Sequence, residues 1–376
     1  MNTAILGVGT SRFGRQPERT ESDLVWEAVG EALRDAEAAR IDAVYLGSVF
    51  GDMGVAQRTL HGLGLTGIPI IRVENACASG TTALSEAEAG VASGRFGTAL
   101  AVGVEHMTSR FKGAIPPESR DPEGRTGLAL PALYAMAATR YEHVYGVTRE
   151  QLALVAVKNR QHATNNPRAH FREAVTVDEV LSSRPIADPL TLLQCSPIAD
   201  GAAAAVIGRP RPSRADVRLR GCVISSGELW GPGSPHVWGY DIVASAARRL
   251  YEEADIGPQD LDVLEVHDAF TIGEVVTTEA LGLCEEGEGA GLVEQGATWL
   301  HGRTPVNPSG GLLARGHPLG CTGLAQVAEL AWQLRGQAGP RQVANVQLGL
   351  VETMGGGVSG IDGNACVLVV LERPSN

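Results

Sequence analysis

Short apolar runs alternate along this chain with longer stretches in which apolar residues recur every three or four positions, the marks of buried strands and one-sided helices. Ala4 to Gly9 reads as a strand, and Ser22, a residue of N-cap type, opens a helix to about Ala39 with Val25, Val29 and Leu33 on one face. Ala43 to Val49 is then a strand, Gly54 to Leu65 a helix and Pro69 to Val73 a strand. An Ala-rich helix from Ser79 to about Ser93 and a strand from Ala99 to Glu105 follow. Strands alternating with helices predict a parallel-rich sheet covered on both faces, an α/β protein.

From Met107 to about Pro131 the periodicity gives way to Gly, Pro and charges. Helical stretches run from Pro131 to about Tyr145 and from Arg149 to about Ala163, then a polar turn from Asn165 to Arg172. Such an excursion from a sheet usually shapes a binding site. Ser196 to Ile207 turns into a small-residue strand that returns to the first sheet, and Arg209 to Arg214, with two prolines, reads as a linker. A second series begins with a strand at Val217 to Ser225, a helix at Tyr240 to Ala254, a strand at Asp260 to Val266 and a helix at Thr271 to Leu281. Cys284 to Gly296 reads as an acidic surface loop, Leu319 to about Leu334 as a helix and Gln342 to Val351 as a strand. Gly355 to Gly357 is then a tight turn and Ala365 to Glu372 the closing strand. Both series follow one order of elements, and Cys77 and His317 occupy the equivalent turn before the long helix of each. A pseudo-two-fold arrangement would bring both helix N-termini to one crevice.

With 376 residues, 44% of them apolar, the chain can form one large two-lobed unit or two ordinary domains. A net charge of −12 without a Lys or Arg run argues against nucleic acid as a partner. Met1 to Gly7 lacks the features of a signal peptide, and no apolar run reaches the roughly 18 residues of a membrane span, so a cytoplasmic location is expected. The cysteines at 77, 195, 222, 284, 321 and 366 form no CxxC pair, which predicts reduced thiols and neither a zinc nor a redox motif. Gly7, Gly9 and Gly14 do not make a dinucleotide fingerprint, because the third glycine and the following helix fall too late.

Candidate chemistry centres on Asn75-Ala76-Cys77-Ala78-Ser79-Gly80, where Cys77 sits at a strand-to-helix turn. Unpaired N–H groups and the positive end of the helix dipole would stabilise a thiolate and an adjacent oxyanion there. A lone Cys is more often a small buried hydrophobe, and His267, after an apolar strand, taken alone reads as a satisfied core histidine. His317, in a Gly-rich turn opening a helix, is the stronger candidate to accept the thiol proton.

These residues, with Ser196 to Ala205, His267-Asp268-Ala269-Phe270, Asn307-Pro308-Ser309-Gly310-Gly311 and Gly316-His317-Pro318-Leu319-Gly320-Cys321-Thr322-Gly323, together resemble the thiolase superfamily. The His-Asp-Ala-Phe form is similar to the sterol-carrier-protein type of thiolase and to thiolase-like acyltransferases, where other thiolases carry Asn-Glu-Ala-Phe. The resemblance spans nearly the whole chain. It implies two pseudo-repeated βαβαβαββ halves in five layers, residues 1–210 and 215–376, with a loop domain at about 107–190 inserted in the first. It also implies acyl-enzyme formation on Cys77 from a coenzyme A thioester substrate, with no permanently bound cofactor and no metal. His317 would serve as base, the N–H groups of Cys77 and Gly355 as one oxyanion hole, and His317 with His267 as the other. Arg168 and Arg172 are candidates to meet a CoA phosphate, Cys321 reads as core, and His143, His162 and His170 as solvated or loop residues. A homodimer or homotetramer and a small OB-fold partner subunit are the implied partners.

One departure matters. Family members that make or cleave a carbon–carbon bond usually carry a Cys or His two residues before the final Gly-rich turn, and here Glu352-Thr353-Met354-Gly355 puts Thr353 there. An alcohol is a poor base at neutral pH. Either His317, His267 or Glu352 moves the α-carbon proton, or the protein performs no ordinary Claisen step. An acyltransferase passing its acyl group to CoA or a carbon nucleophile is therefore the leading expectation. An ordinary 3-oxoacyl-CoA thiolase, or a subunit active only with a partner, is the alternative.

Overall fold

The computed structural model describes residues 3–37, 40–212 and 214–373. The first half supplies strands β1 (Thr3–Thr10), β2 (Ala43–Gly47), β3 (Ile70–Val73) and β4 (Thr98–His106), with helices α1 (Glu21–Asp35), α2 (Val55–His61) and α3 (Ser79–Ala92) between them. An excursion then carries α4 (Pro122–Arg125), α5 (Leu130–Tyr145), α6 (Arg149–Ala163), α7 (Val177–Ser182) and a hairpin of β5 (Pro185–Ala187) and β6 (Leu190–Thr191). Strand β7 (Asp200–Gly208) returns to the sheet. The second half runs β8 (Val217–Ser225), α8 (Tyr240–Ala254), β9 (Val263–Glu265), α9 (Thr271–Ala280), α10 (Gly289–Glu294), α11 (Gly311–Arg315), α12 (Thr322–Arg335), β10 (Leu348–Gly355) and β11 (Ala365–Glu372).

Nine strands form one sheet in the order β3-β2-β4-β7-β1-β8-β11-β10-β9, and its two wings mirror each other about the antiparallel junction of β1 with β8. Strands β4, β7 and β11 are buried on both faces and so read as continuous apolar runs, and most pairings in the sheet are antiparallel, against the parallel-rich expectation. Along β4, Leu100 and Val102 face α1, while Ala99 and Ala101 share a core with Leu84 of α3 and Leu324 of α12. Along β11, Val367 and Val369 join that same central core, and Leu368 and Val370 face α8 with Ile242 and Leu250. Helices α3 and α12 thus lie between the wings, and α1 and α8 outside them. The result is five layers.

Several elements differ from the sequence expectation. Thr20, not Ser22, caps α1, because its hydroxyl accepts the Asp23 N–H while Asp23 returns the bond, a reciprocal box that places the cap two residues earlier. The expected end of that helix at Ala39 lies outside the described residues, as do Ser213 in the linker and the last residues, 374–376, of the second half. The acidic stretch 284–296 contains α10. The strand expected at Gln342 to Val351 occupies Leu348–Gly355 and so carries Thr353 and Gly355 itself. In the second half the third strand shrinks to one bridge, Leu264 with Val306. Leu264 N–H donates to Pro305 O at 2.9 Å and Asn307 N–H to Leu264 O at 2.8 Å, but Pro305 and Pro308 have no N–H to extend the pairing.

Candidate active site

The turn after β3 is tight. Ala76 takes a left-handed φ of 47°, and Ala78 and Ser79 N–H groups close on the carbonyls of Asn75 and Ala76 at 3.0 and 3.1 Å. Ser79 Oγ accepts Asn75 N–H at 2.9 Å, which fixes the entry to α3. A non-glycine residue in that region costs free energy, and the surrounding bonds are what hold it. Cys77 is thereby aimed into the crevice between the wings. It is buried, with Met107, Leu319 and Ile198 on one side.

On the other side are two imidazoles. One ligating atom each of Cys77, His267 and His317 lies within 4.8 Å of the others, and the imidazole centroids are 5.0 Å apart, edge to face. His267 follows β9, and its neighbour Asp268 caps α11 by accepting the N–H groups of Leu312 at 2.7 Å and Leu313 at 3.3 Å. The Asn307 to Gly311 motif supports this strand: Asn307 Oδ1 accepts Val266 N–H at 2.9 Å, and Ser309 Oγ donates to Glu265 at 2.7 Å. Gly311, at φ 60°, sits where a side chain would strike the Asp268 carboxylate. The Ser196 to Ile198 stretch joins both histidine turns, with Ser196 N–H donating to Ala269 O at 2.8 Å and His317 N–H to Pro197 O at 3.3 Å.

Thr322 sets the tautomer of His317. Its hydroxyl donates to Pro318 O at 3.0 Å, so at 2.7 Å it accepts the proton on His317 Nδ1 and leaves Nε2 with a free lone pair. Burial pushes His317 well below the usual imidazole range, with further lowering from His267 and Arg315, and burial with Arg315 brings His267 down to about 3. Both shifts favour the neutral ring, which keeps a lone pair at the cost of basicity. Burial lifts the Cys77 thiol to about 12, even though the Gly356 N–H and its own N–H favour the thiolate. Burial thus outweighs these two N–H groups and favours the thiol form of Cys77. The backbone donor beside Sγ belongs to Gly356.

The family model described as Thiolase, N-terminal domain, matches residues 4–210, and that described as Thiolase C-terminal domain-like matches residues 235–368. The chain belongs to the thiolase family. An acetyl-CoA acetyltransferase of Methanothermobacter thermautotrophicus is 42% identical over 369 residues, covering 94% of this chain and 96% of the relative. Sterol carrier protein 2 of Oryctolagus cuniculus is 39% identical over 382 residues, 93% of this chain and 69% of the relative. Among solved structures, the Ltp2-ChsH2(DUF35) aldolase superposes with a TM-score of 0.88 at 25% identity, over 100% of this chain and 98% of that one. The thiolase chain described here is accordingly an enzyme of the acyltransferase kind. Among its described residues, no helix is long and apolar enough to cross a membrane.

Other residues of this thiolase were not foreseen from sequence. Glu105, buried at the end of β4, accepts N–H groups of Val49, Phe50 and Gly320 at 2.8 to 2.9 Å and so ties the His317 turn to the first half. An acid closing an apolar strand was the available signal. Arg315, buried two residues before His317, donates to Thr322 O, and its charge contributes to lowering both imidazoles. Arg168 is not free to meet a phosphate, since it pairs with Glu31 at 2.5 Å and stacks over Trp332 at 4.9 Å, whereas Arg172 is exposed. His143 is exposed as expected, but His162 is a satisfied core residue that donates to Asn307 O and accepts Leu300 N–H, each at 3.0 Å. Cys321 is core. A Cys/His/His set is also one that zinc accepts. The Arg315 charge felt by both imidazoles opposes a cation there.

Proposed function

We propose that this protein forms an acyl enzyme on Cys77 from a CoA thioester and passes the acyl group to CoA or to a carbon nucleophile. The observation that carries this reading is the convergence of Cys77, His267 and His317 within 4.8 Å in the crevice between the two wings. His317 Nε2 takes the thiol proton as sulfur attacks the thioester carbonyl, and the C–S bond to CoA breaks with that proton delivered to the leaving thiolate. Both partners start neutral, so charge appears only during reaction. Backbone N–H groups at Cys77 and at Gly355 and Gly356 would hold the first oxyanion, and the imidazoles of His317 and His267 the enolate oxygen. Loss of one such donor typically costs about 100-fold to 1,000-fold in rate.

The test is to incubate the protein with acetyl-CoA and weigh it intact. Acyl mass is expected on the wild type and not on C77A; a wild type that never gains it rules covalent transfer out. An ordinary 3-oxoacyl-CoA thiolase is the second reading, favoured by the identity to the acetyl-CoA acetyltransferase. Cleavage of acetoacetyl-CoA at the rate of ordinary thiolases would favour it and remove the weight placed on Thr353. The likeness to the Ltp2-ChsH2(DUF35) aldolase supports a small OB-fold partner subunit, seen as co-purification and as activity that appears only with the partner present.

A further inference from the structure

Transfer to a carbon acceptor needs a group that takes a proton from the acceptor's α-carbon, and Thr353 is not that group. It is fully buried, its hydroxyl donates to Gln326 Oε1 of α12 at 2.9 Å, and it packs where a side chain on Gly323 would stand. That hydroxyl is committed to helix packing.

The preceding residue of β10 is placed differently. Strand alternation turns Glu352 to the opposite face of β10 from Thr353. Glu352 is fully buried, Oε2 accepts the backbone N–H of His267 at 2.8 Å, and Oε1 has no hydrogen-bond partner. Nδ1 of His267 is likewise buried and unpartnered. Buried polar atoms are nearly always paired, so an open carboxylate oxygen and an open imidazole nitrogen on two bonded residues mark a place where something is handled. The link to the reacting cluster is His267 itself: its backbone N–H is held by Glu352 at 2.8 Å, its ring lies within 4.8 Å of Cys77 and His317, and it lines one cavity with Tyr134 and Met354.

We propose that Glu352 is the proton-transfer residue of this site, its free carboxylate oxygen taking the α-proton of a CoA-thioester acceptor in condensation and returning it in cleavage. The inference rests on the acyl-enzyme reading above. In the condensing direction the α C–H electron pair becomes an enolate while the proton moves to Glu352. The enolate carbon attacks the acyl carbonyl on Cys77, the carbon–carbon bond forms, and the C–S bond to Cys77 breaks. The proton held by Glu352 then neutralises the Cys77 thiolate through the imidazoles, and the net products are a 3-oxoacyl-CoA and the free CoA released at acylation. Burial, opposed by the His267 N–H, lifts Glu352 to about 7, where a carboxyl both takes and gives a proton at neutral pH.

E352Q separates this role from a structural one, because the amide oxygen still accepts the His267 N–H. In the full chain, wild type, E352Q, E352D and T353V are each given acetyl-CoA in deuterated water; acylation of Cys77 is weighed and α-proton exchange is followed by NMR. Expected are E352Q acylation and unfolding midpoint close to wild type, α-exchange lower by about 100-fold or more, partial exchange in E352D, and near-normal exchange in T353V. The proposal is overturned if E352Q exchanges at the wild-type rate, if it loses acylation and exchange together, if T353V loses as much as E352Q, or if the wild type does not exchange. A wild type that exchanges without ever being acylated would instead sink the acyl-enzyme reading and leave Glu352 standing.

Discussion

Thr322 decides which nitrogen of His317 is free, and it does so with one hydroxyl used in both senses, accepting from Nδ1 at 2.7 Å and donating to Pro318 O at 3.0 Å. T322V removes the acceptor, so the imidazole gains an unpaired buried N–H or turns its proton to Nε2 and ceases to be a base. Acylation of Cys77 is expected to slow by about 10-fold or more, with T322S restoring it and the unfolding midpoint of T322S unchanged. Single-turnover acylation measures this, and an unaltered rate in T322V would refute the assignment. At this scale the sequence pointed to the three side chains that converge but not to their support. Cys77, His267 and His317 stand in short motifs whose small residues and turns are visible in the letters. Thr322 lies inside one of those motifs, yet its role depends on which carbonyl lies above it. Glu352 was one option among three until its unpartnered oxygen and the commitment of Thr353 to Gln326 could be seen.

At the scale of elements, the site exists because two helix starts approach more closely than side chains would allow. Gly80 opens α3 where an added Cβ would lie 2.6 Å from Gly320 O, and Gly103 of β4 where it would lie 2.3 Å from the same carbonyl. Gly47 of β2 meets Ser79 O at 2.4 Å in the same way. Backbone cannot yield as a flexible side chain does, so G80A must push the Gly320 turn, and with it His317, away from Cys77. A loss of about 1 to 3 kcal/mol in stability is expected together with slower acylation. Chemical denaturation and single-turnover acylation read the two effects, and a G80A protein as stable and as fast as wild type would contradict the close packing. Strands and long helices were legible because period and length carry them. Their limits were less so, since the strand at Leu348–Gly355 continues into residues that read as turn, and α10 hides in an acidic stretch whose apolar face is short.

At the scale of the whole molecule, the excursion that leaves the first half docks on the second. Helix α6 packs against α9, α10 and α11, and its contacts are polar and buried: Lys158 Nζ meets Glu274 at 2.5 Å and donates to Val306 O at 2.9 Å, while Asn159 donates to Asp268 at 2.7 Å and to Glu274 at 3.0 Å. Sequence could not show this, because nothing in the helical pattern from Arg149 to Ala163 tells which of its polar residues will be buried. The consequence is a strap: chain belonging to one wing is held by charge inside the other, directly behind His267 through Asp268. Burial and the charge of Glu274 already raise Asp268 well above the usual carboxylate range, with Lys158 among the groups opposing them. K158M removes that cation and leaves the carboxylates facing each other without a counter-charge, a change expected to cost about 3 to 5 kcal/mol. If the strap joins the wings, the wild type unfolds in one transition and K158M either shifts that midpoint down or splits it, with proteolysis gaining access to residues 107–190. An unshifted midpoint in K158M, or separate transitions already present in the wild type, would show that the wings are coupled by the β1 to β8 junction and the central helices alone.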